Sequence, residues 1–364
     1  MLTFPVGLLS NKGAAVDAIL VTMTPTAGFT VGFTLTFTGD VYIDFKDGGG
    51  KEALTSGVEK THLYAGAGTY IAEITGDLLN ITQFIADNSR ITNITNLKTG
   101  LLTNLSLYNN LITGILDLSL SPISQVVNIY NNPFTGIIFS DSGNGTLTQF
   151  RAYLCSNLTA LDFSSVPLSG LLWTYDCTSL TSITFATSGN GLFTNVNLRG
   201  CSLTSLDLSN NPISGSFLVY NNSLNSLIFA NTGNGTVTSF GVYNNNLNSL
   251  DVSNIILSGN IQIFINASLS SLSLNSVNGA ITNFAFYNDS LSNIDFSSFS
   301  TSNGVTIFAQ NNSFTATEHD NQLINLDATG WINGTLSILT GNTARTSASD
   351  TAYNNLISKG WTIT

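Results

Sequence analysis

Charge is what this sequence has least of. Lys, Arg, Asp and Glu make up 9% of 364 residues, well below the roughly 25% usual for soluble domains. The ten Lys and Arg form no cluster and the formal net charge is −11. Phosphate backbones and anionic lipid surfaces bind concentrated positive charge, so nucleic acid and an anionic membrane are excluded as expected partners. Long apolar runs are missing too. None approaches the ~18 residues of a membrane span, so membrane insertion is not expected. The opening Met-Leu-Thr-Phe-Pro-Val-Gly-Leu-Leu-Ser-Asn-Lys-Gly has no basic n-region and no small-residue cleavage site, so no conventional signal peptide is read there. There are only two His, His62 and His319, and neither has a visible Ser or Cys partner. A hydrolase triad therefore has no support.

Hydrophobic residues, by contrast, are 43% of the chain, enough for a large core, and Asn, Ser, Thr and Gly supply the polar surface. Uncharged polar side chains can stack in rows without like-charge repulsion, which suits a β-solenoid. The repeat is visible in Leu102-Thr-Asn-Leu105-Ser-Leu107-Tyr-Asn-Asn110-Leu-Ile112, which fits L-x-x-L-x-L-x-x-N-x-L at every fixed position. Sliding this template along the chain gives a ladder of Asn88, Asn110, Asn132, Cys155, Cys177, Cys201, Asn222, Asn245, Asn266, Asp289 and Asn312. The steps are 22, 22, 23, 22, 24, 21, 23, 21, 23 and 23 residues. An Asn at a sharp turn can donate and accept at once, bonding backbone within and between coils. Cys, small and apolar with a weak donor, fits the same slot. The positions five and three before the ladder, such as Leu105/Leu107 and Phe240/Val242, are expected to point inward.

A slower rhythm lies over the first. Asp117, Asp162, Asp207, Asp251 and Asp295 recur every 44 or 45 residues, and Ser142–Gly145, Ser188–Gly191, Thr232–Gly235 and Val277–Gly279 mark the coils between. The unit is thus a pair of coils. With strands ~4.8 Å apart, about eleven coils of 21–24 residues make a body on the order of 50 Å long. The expected fold is a β-rich, leucine-rich-repeat solenoid over residues 77–315, between a β-sandwich-like domain at 1–76 and a small α/β cap at 316–364.

The flanks carry two resemblances. Alternating runs at Phe29–Thr38 and Val41–Phe45, then Asp47-Gly48, His62-Leu-Tyr64 and Gly68-Thr-Tyr70-Ile-Ala-Glu-Ile74, resemble the PKD-like β-sandwich modules of bacterial surface proteins. Asp44-Phe45-Lys46-Asp47-Gly48 stands where that family often has Trp-Gly-Asp-Gly. The repeat, with the ending Ala352-Tyr-Asn-Asn-Leu-Ile-Ser-Lys-Gly-Trp361-Thr-Ile-Thr364, resembles leucine-rich-repeat proteins of bacterial surfaces and tailed-phage particles. These resemblances imply a non-enzymatic protein of a virion surface, or an extracellular or cell-surface protein, mediating attachment or assembly. The tail itself reads as a helix from Glu318 to Ala328, with Glu318-His319-Asp320 as a solvated start, then a strand at Gly334–Leu339. A Ser347–Asp350 N-cap box, a helix over Thr351–Ser358 and a final strand follow.

Candidate chemistry is concentrated in one row. Two residues before the ladder come Tyr108, Tyr130, Tyr153, Tyr175, Arg199, Tyr220, Tyr243, Phe264, Tyr287 and Gln310, with Trp173 and Arg151 on the neighbouring outward row. Seven of the eleven Tyr fall here. Strand alternation turns this position outward. Three readings stay open: a self-stacking ladder that stiffens the solenoid, contact with a structural or host-surface protein, and stacking on the rings of a glycan. The cysteines are expected to be buried, reduced fillers with no metal, and no cofactor is expected. The Asp row is expected to cap turns. Its rival roles are calcium binding and catalysis, the latter as in a polysaccharide-cleaving spike, because carboxylates two coils apart would be about 9.6 Å apart, at the edge of the roughly 6.5–9.5 Å of an inverting pair. Nothing in the sequence names the partner, and a homo-oligomer is compatible with so few charges.

Overall fold

A computed structural model describes residues 17–292 and 294–364. The opening segment read for a signal, with the first sixteen residues of the 1–76 domain, lies outside the described residues. The chain is a β-solenoid of about ten turns, with coils of about 22 residues and little helix. Each coil places one strand in a long parallel sheet. That sheet runs in sequence order from Ile81–Ile85 through Leu102–Ser106, Ile123–Asn128, Leu147–Arg151 and so on to Thr362–Ile363. Neighbours are paired in register, with Val127 beside Leu105 and Phe150 beside Val127. Register is what aligns one coil position with its counterpart in the next, turning a sequence period into straight rows.

After the corner, most coils make a second strand. These pair two by two: Gly114–Leu118 with Phe134–Phe139, Ala160–Phe163 with Ser182–Phe185, Ser205–Leu208 with Ser226–Phe229, and Ser249–Val252 with Ser271–Leu274. The two-coil rhythm of the sequence is therefore physical. In each pair the first strand carries the Asp, and the Gly-Asn-Gly turn or its relative follows the second. The glycine after that Asn is required by a close approach. A methyl group built on Gly145, Gly191, Gly235 or Gly279 would lie 2.7–2.9 Å from the Cβ of Ser124, Ser169, Ser214 or Ser258 in the preceding coil. Between the sheets the core is continuous. Leu105, Leu107, Phe217, Val219, Phe240, Val242, Phe284 and Phe286 are all buried, as the inward pattern requires.

The corner after each long-sheet strand is held by the ladder. Asn132 Nδ2 donates to Ile129 O in its own coil at 3.0 Å and to Leu107 O of the coil before at 2.8 Å, while its Oδ1 accepts from Ile112 N at 3.2 Å. Asn110, Asn222 and Asn245 repeat this pattern. Asn88 does not belong to it. Ile85 pairs with Ser106, which sets Ser89 rather than Asn88 against Asn110, and Ser89 N donates to Asn110 Oδ1. Asn88 occupies the preceding position, where the chain turns left-handed. That position has φ between 53° and 58° at Asn88, Asn109, Asn131, Leu154, Asp176, Asn221, Asn244, Ile265, Asn288 and Asn311. Asn tolerates this conformation better than other non-glycine residues, which explains the paired Asn-Asn of many coils. Ile265 is the β-branched exception.

The sheet does not stop at Asn312. Thr306–Phe308, Thr335–Ser337 and Thr362–Ile363 extend it in parallel, and Asn342 is a further ladder residue. Its Oδ1 accepts from Asn312 N and Phe314 N, and its Nδ2 donates to Ala309 O and Ile338 O. The helix Ala316–Ala328 lies between these two ladder residues and is closed at its start by a capping box of Thr315 and Glu318. His319 and Asp320 are not a solvated start, since they are 1% and 4% exposed. His319 Nδ1 lies 2.8 Å from Thr343 O. Burial opposes ionisation of Asp320, but hydrogen bonds from Ser349 and Thr346 outweigh it and hold the carboxyl below its ordinary pKa. The Ser347–Asp350 segment opens with a 3₁₀ turn capped by Thr346, not by its own serines, and runs into the helix Asp350–Ser358.

At the other end, both sheets continue into antiparallel strands. Phe29–Phe37 pairs with the first coil strand Ile81–Ile85, and Ile19–Met23 pairs with Ile91–Thr95. Strands Val41–Asp44, Lys51–Ala53, Lys60–Tyr64 and Tyr70–Gly76 widen these two layers. The front side of the first coil is thus covered by paired strands, which leaves no open edge there for another chain. No helix among the described residues is long and apolar enough to cross a membrane.

Two substitutions test this account by urea unfolding. Asn132→Ala strands a buried N–H and two carbonyls and should lower stability by about 3 kcal/mol. Ile265→Asn relieves a β-branched residue at φ 58° and should raise stability by about 1 kcal/mol. A loss from the second would mean that Ile265 packs better than its 41% exposure indicates.

Candidate binding face

The in-register sheet brings the aromatic row together. Ring centroids are 4.6 Å apart for Tyr108 and Tyr130, 4.2 Å for Tyr130 and Tyr153, and 4.5 Å for Tyr153 and Tyr175, with planes within 9° of parallel. The Arg199 guanidinium then lies 4.4 Å over the Tyr175 ring. A second stack follows, with Tyr220–Tyr243 at 4.2 Å, Tyr243–Phe264 at 4.3 Å and Phe264–Tyr287 at 4.4 Å. The strand spacing dictates these distances. Every member of the row is half-buried. Inside each stack the ring faces cover one another, so the row offers ring edges and hydroxyls to a partner rather than open faces.

Five of the hydroxyls are held in their neutral, donating form. Burial raises the pKa of Tyr130, Tyr153, Tyr175 and Tyr287, and pushes Tyr243 up to about 12. The neighbouring row adds variety. Arg151 bonds Asn128 Oδ1 at 2.9 Å and lies 5.4 Å over the Trp173 ring, while Trp173 Nε1 donates to Asn195 Oδ1 at 3.0 Å. Trp173 is tilted about 60° from Tyr153 and Tyr175, so it stands outside the stack. Sequence reasoning missed Phe308 and the amides Gln262 and Asn283 on the same face. Their signal was position alone, because Phe308 occupies the coil position of Trp173.

The Asp row lies away from this face, with Asp117, Asp162, Asp207 and Asp251 on the short strands and Asp295 capping the 3₁₀ turn Phe296–Ser298. Asp117, Asp162, Asp207, Asp251 and Asp295 each accept a hydrogen bond from the backbone N–H two residues on, at 2.8–2.9 Å. All five are exposed. Ile138, Thr184, Ile228 and Ser273 stand between them in register. The same device occurs five times, and no member is singled out for chemistry.

The cysteines fill their ladder slots with thiols. Cys177 Sγ lies 3.0 Å from Ala152 O, Cys201 Sγ 3.1 Å from Thr174 O, and Cys155 Sγ 3.6 Å from Ile129 O. Each reaches back to the carbonyl that an Asn would use. All three are buried and free. Contact with the neighbouring thiol and burial raise the pKa of Cys177 to about 12 and that of Cys201 further, which keeps both protonated and poorly nucleophilic. Among the described residues no three His, Cys, Asp or Glu come together as a metal site.

Asp289 is the unusual ladder residue. Its Oδ1 accepts from Asn266 N, but its Oδ2 is buried without a partner where an amide would donate. Burial raises its pKa from the ordinary 3.8 to about 8. A raised carboxyl pKa favours the folded state below the ordinary value, and this contribution is lost as pH rises through the folded value. Stability should therefore fall between about pH 4 and pH 8 and level off above. Asp289→Asn should remove that slope and stabilise the protein at pH 9 by about 2 kcal/mol, read from urea midpoints across pH. An unchanged slope would show that Asp289 ionises normally. No protein family, no characterised protein and no solved structure matches this chain, so its own geometry is the ground for a functional reading.

Proposed function

We propose that this protein is a non-enzymatic surface protein, a component of a virion or a bacterial cell surface, that attaches to a partner through the outer face of its long parallel sheet. The observation that carries this reading is the half-buried aromatic row, two stacks of four rings separated by Arg199 and flanked by Trp173, Arg151 and side-chain amides. A rigid row of ring edges, hydroxyls and amides is suited to contact with another protein or with a glycan. The repeat pattern supports assignment of the solenoid to the leucine-rich-repeat type. The alternating strands and Tyr64–Tyr70 stacking of the front residues support a PKD-like module. The five equivalent turn-capping Asp residues favour a binding scaffold over a polysaccharide-cleaving enzyme, whose active carboxylates would be local exceptions.

The test is retention of the fluorescently labelled full-length protein on a panel of intact bacterial cells, read by flow cytometry. Trp173→Ser with Arg151→Ser should reduce retention by roughly tenfold or more, with circular dichroism unchanged. Asp162→Asn on the other face should have no effect. Retention indifferent to the sheet-face variant would overturn the reading. So would release of reducing ends from a polysaccharide that Asp162→Asn abolishes.

A further inference from the structure

On the outer face of the long sheet, the row that carries Arg151 and Trp173 has Ser106 and Ser337 near its two ends, and between them small residues occur at Gly241 and Ala285. At Gly241 there is no gap, because an added methyl group would meet Leu218 Cδ2 at 3.1 Å and the Tyr220 ring at 3.3 Å. At Ala285 there is one. A notch of about 220 Å³ opens there, lined by Gln262, Phe264, Asn283, Tyr287, Phe308 and Gln310.

Phe308 differs from the stacked rings. Its plane stands 71° from that of Tyr287, with centroids 6.4 Å apart, whereas Phe264 and Tyr287 lie 8° from parallel. Phe308 therefore keeps a face that no stacked ring covers among the described residues. The other walls are neutral amides. Asn283 Nδ2 donates to Asn260 Oδ1 at 2.8 Å, which leaves the Asn283 oxygen as an acceptor. Gln310 Oε1 is shut from solvent without a hydrogen-bond partner, a cost that a ligand hydroxyl would relieve after a small side-chain rotation. No charged side chain lines the notch.

An open aromatic face beside amide donors and acceptors matches a saturated ring with one apolar C–H face and a rim of hydroxyls. A phosphate or carboxylate would lose its hydration here and find no counter-ion. The volume is below the roughly 300–1,000 Å³ of sites that enclose a drug-sized ligand, so it holds one ring and leaves the rest of a chain on the sheet. We infer that the notch over Ala285 is a subsite for one neutral pyranose unit of a glycan, held by the Phe308 ring and the Gln262, Asn283 and Gln310 amides. This rests on the reading of the sheet face as the binding face.

The experiment is an array of neutral gluco-, galacto-, manno- and N-acetylhexosamine oligosaccharides probed with the full-length protein, with hits measured by calorimetry. At least one should bind. Phe308→Ala should weaken that binding roughly tenfold or more. Ala285→Leu, which fills the notch and keeps every ring, should do the same and guards against a folding defect in the first variant. Asp162→Asn, on the other side of the coil, should leave it unchanged. No hit on the array, or a hit indifferent to both notch variants, overturns the subsite. A hit abolished by Trp173→Ser but not by Phe308→Ala also overturns the subsite, while keeping the face. Protection of the notch by a protein partner, with no sugar bound, assigns it to a peptide side chain instead.

Discussion

At the corner after every long-sheet strand, the turning backbone leaves a carbonyl of its own coil, a carbonyl of the coil before and an N–H group without sheet partners, all out of reach of water. Unpaired, such groups would cost about 1–3 kcal/mol each. In most Asn coils one amide side chain answers all three, as Asn132 does with Ile129 O, Leu107 O and Ile112 N. The bond to the preceding coil also fixes the offset between coils. Straight rows on the sheet face follow from that offset, and so does the stacking of the rings.

The slots where Asn is replaced show which part of the task is indispensable. Cys155, Cys177 and Cys201 keep the link back to the preceding carbonyl, but a thiol does not replace the amide's oxygen acceptor. Asp289 keeps an acceptor and loses the donor, which only a proton restores. A ladder of this kind tolerates partial members because each coil is also held by its strand pairing and its apolar core.

The outer face of the long sheet is a compromise between stacking and access. Rings spaced by the strands of a sheet cover one another's faces, which stiffens the solenoid and takes those faces away from any ligand. Among the described residues, access returns where the row is interrupted, at Arg199, and on the neighbouring row, where the Trp173 and Phe308 rings stand outside the stacks. The positions that break the repeat are therefore the ones with chemistry to offer, as the five identical Asp caps illustrate from the opposite side.

Much of this was legible in the sequence because a fixed period maps linearly onto space. The ladder, the inward pairs such as Leu105 and Leu107, the Asp row and the aromatic row all follow from counting residues. Counting failed where the period or the residue type slipped. Asn88 fits the pattern, yet strand pairing gives the slot to Ser89. Asn342 lies thirty residues after Asn312 because a helix is inserted between them, so no period could find it. His319 reads as surface in a polar stretch and is buried because the loop around Thr343 folds over it. By itself the sequence determined the coil, its length and which residues share a row, since these depend on local periodicity. Whether those rings would stack face to face, where one would turn aside, and that a single alanine would open a notch were decided by the tertiary structure. They depend on side chains from neighbouring coils that meet only once the coils are stacked.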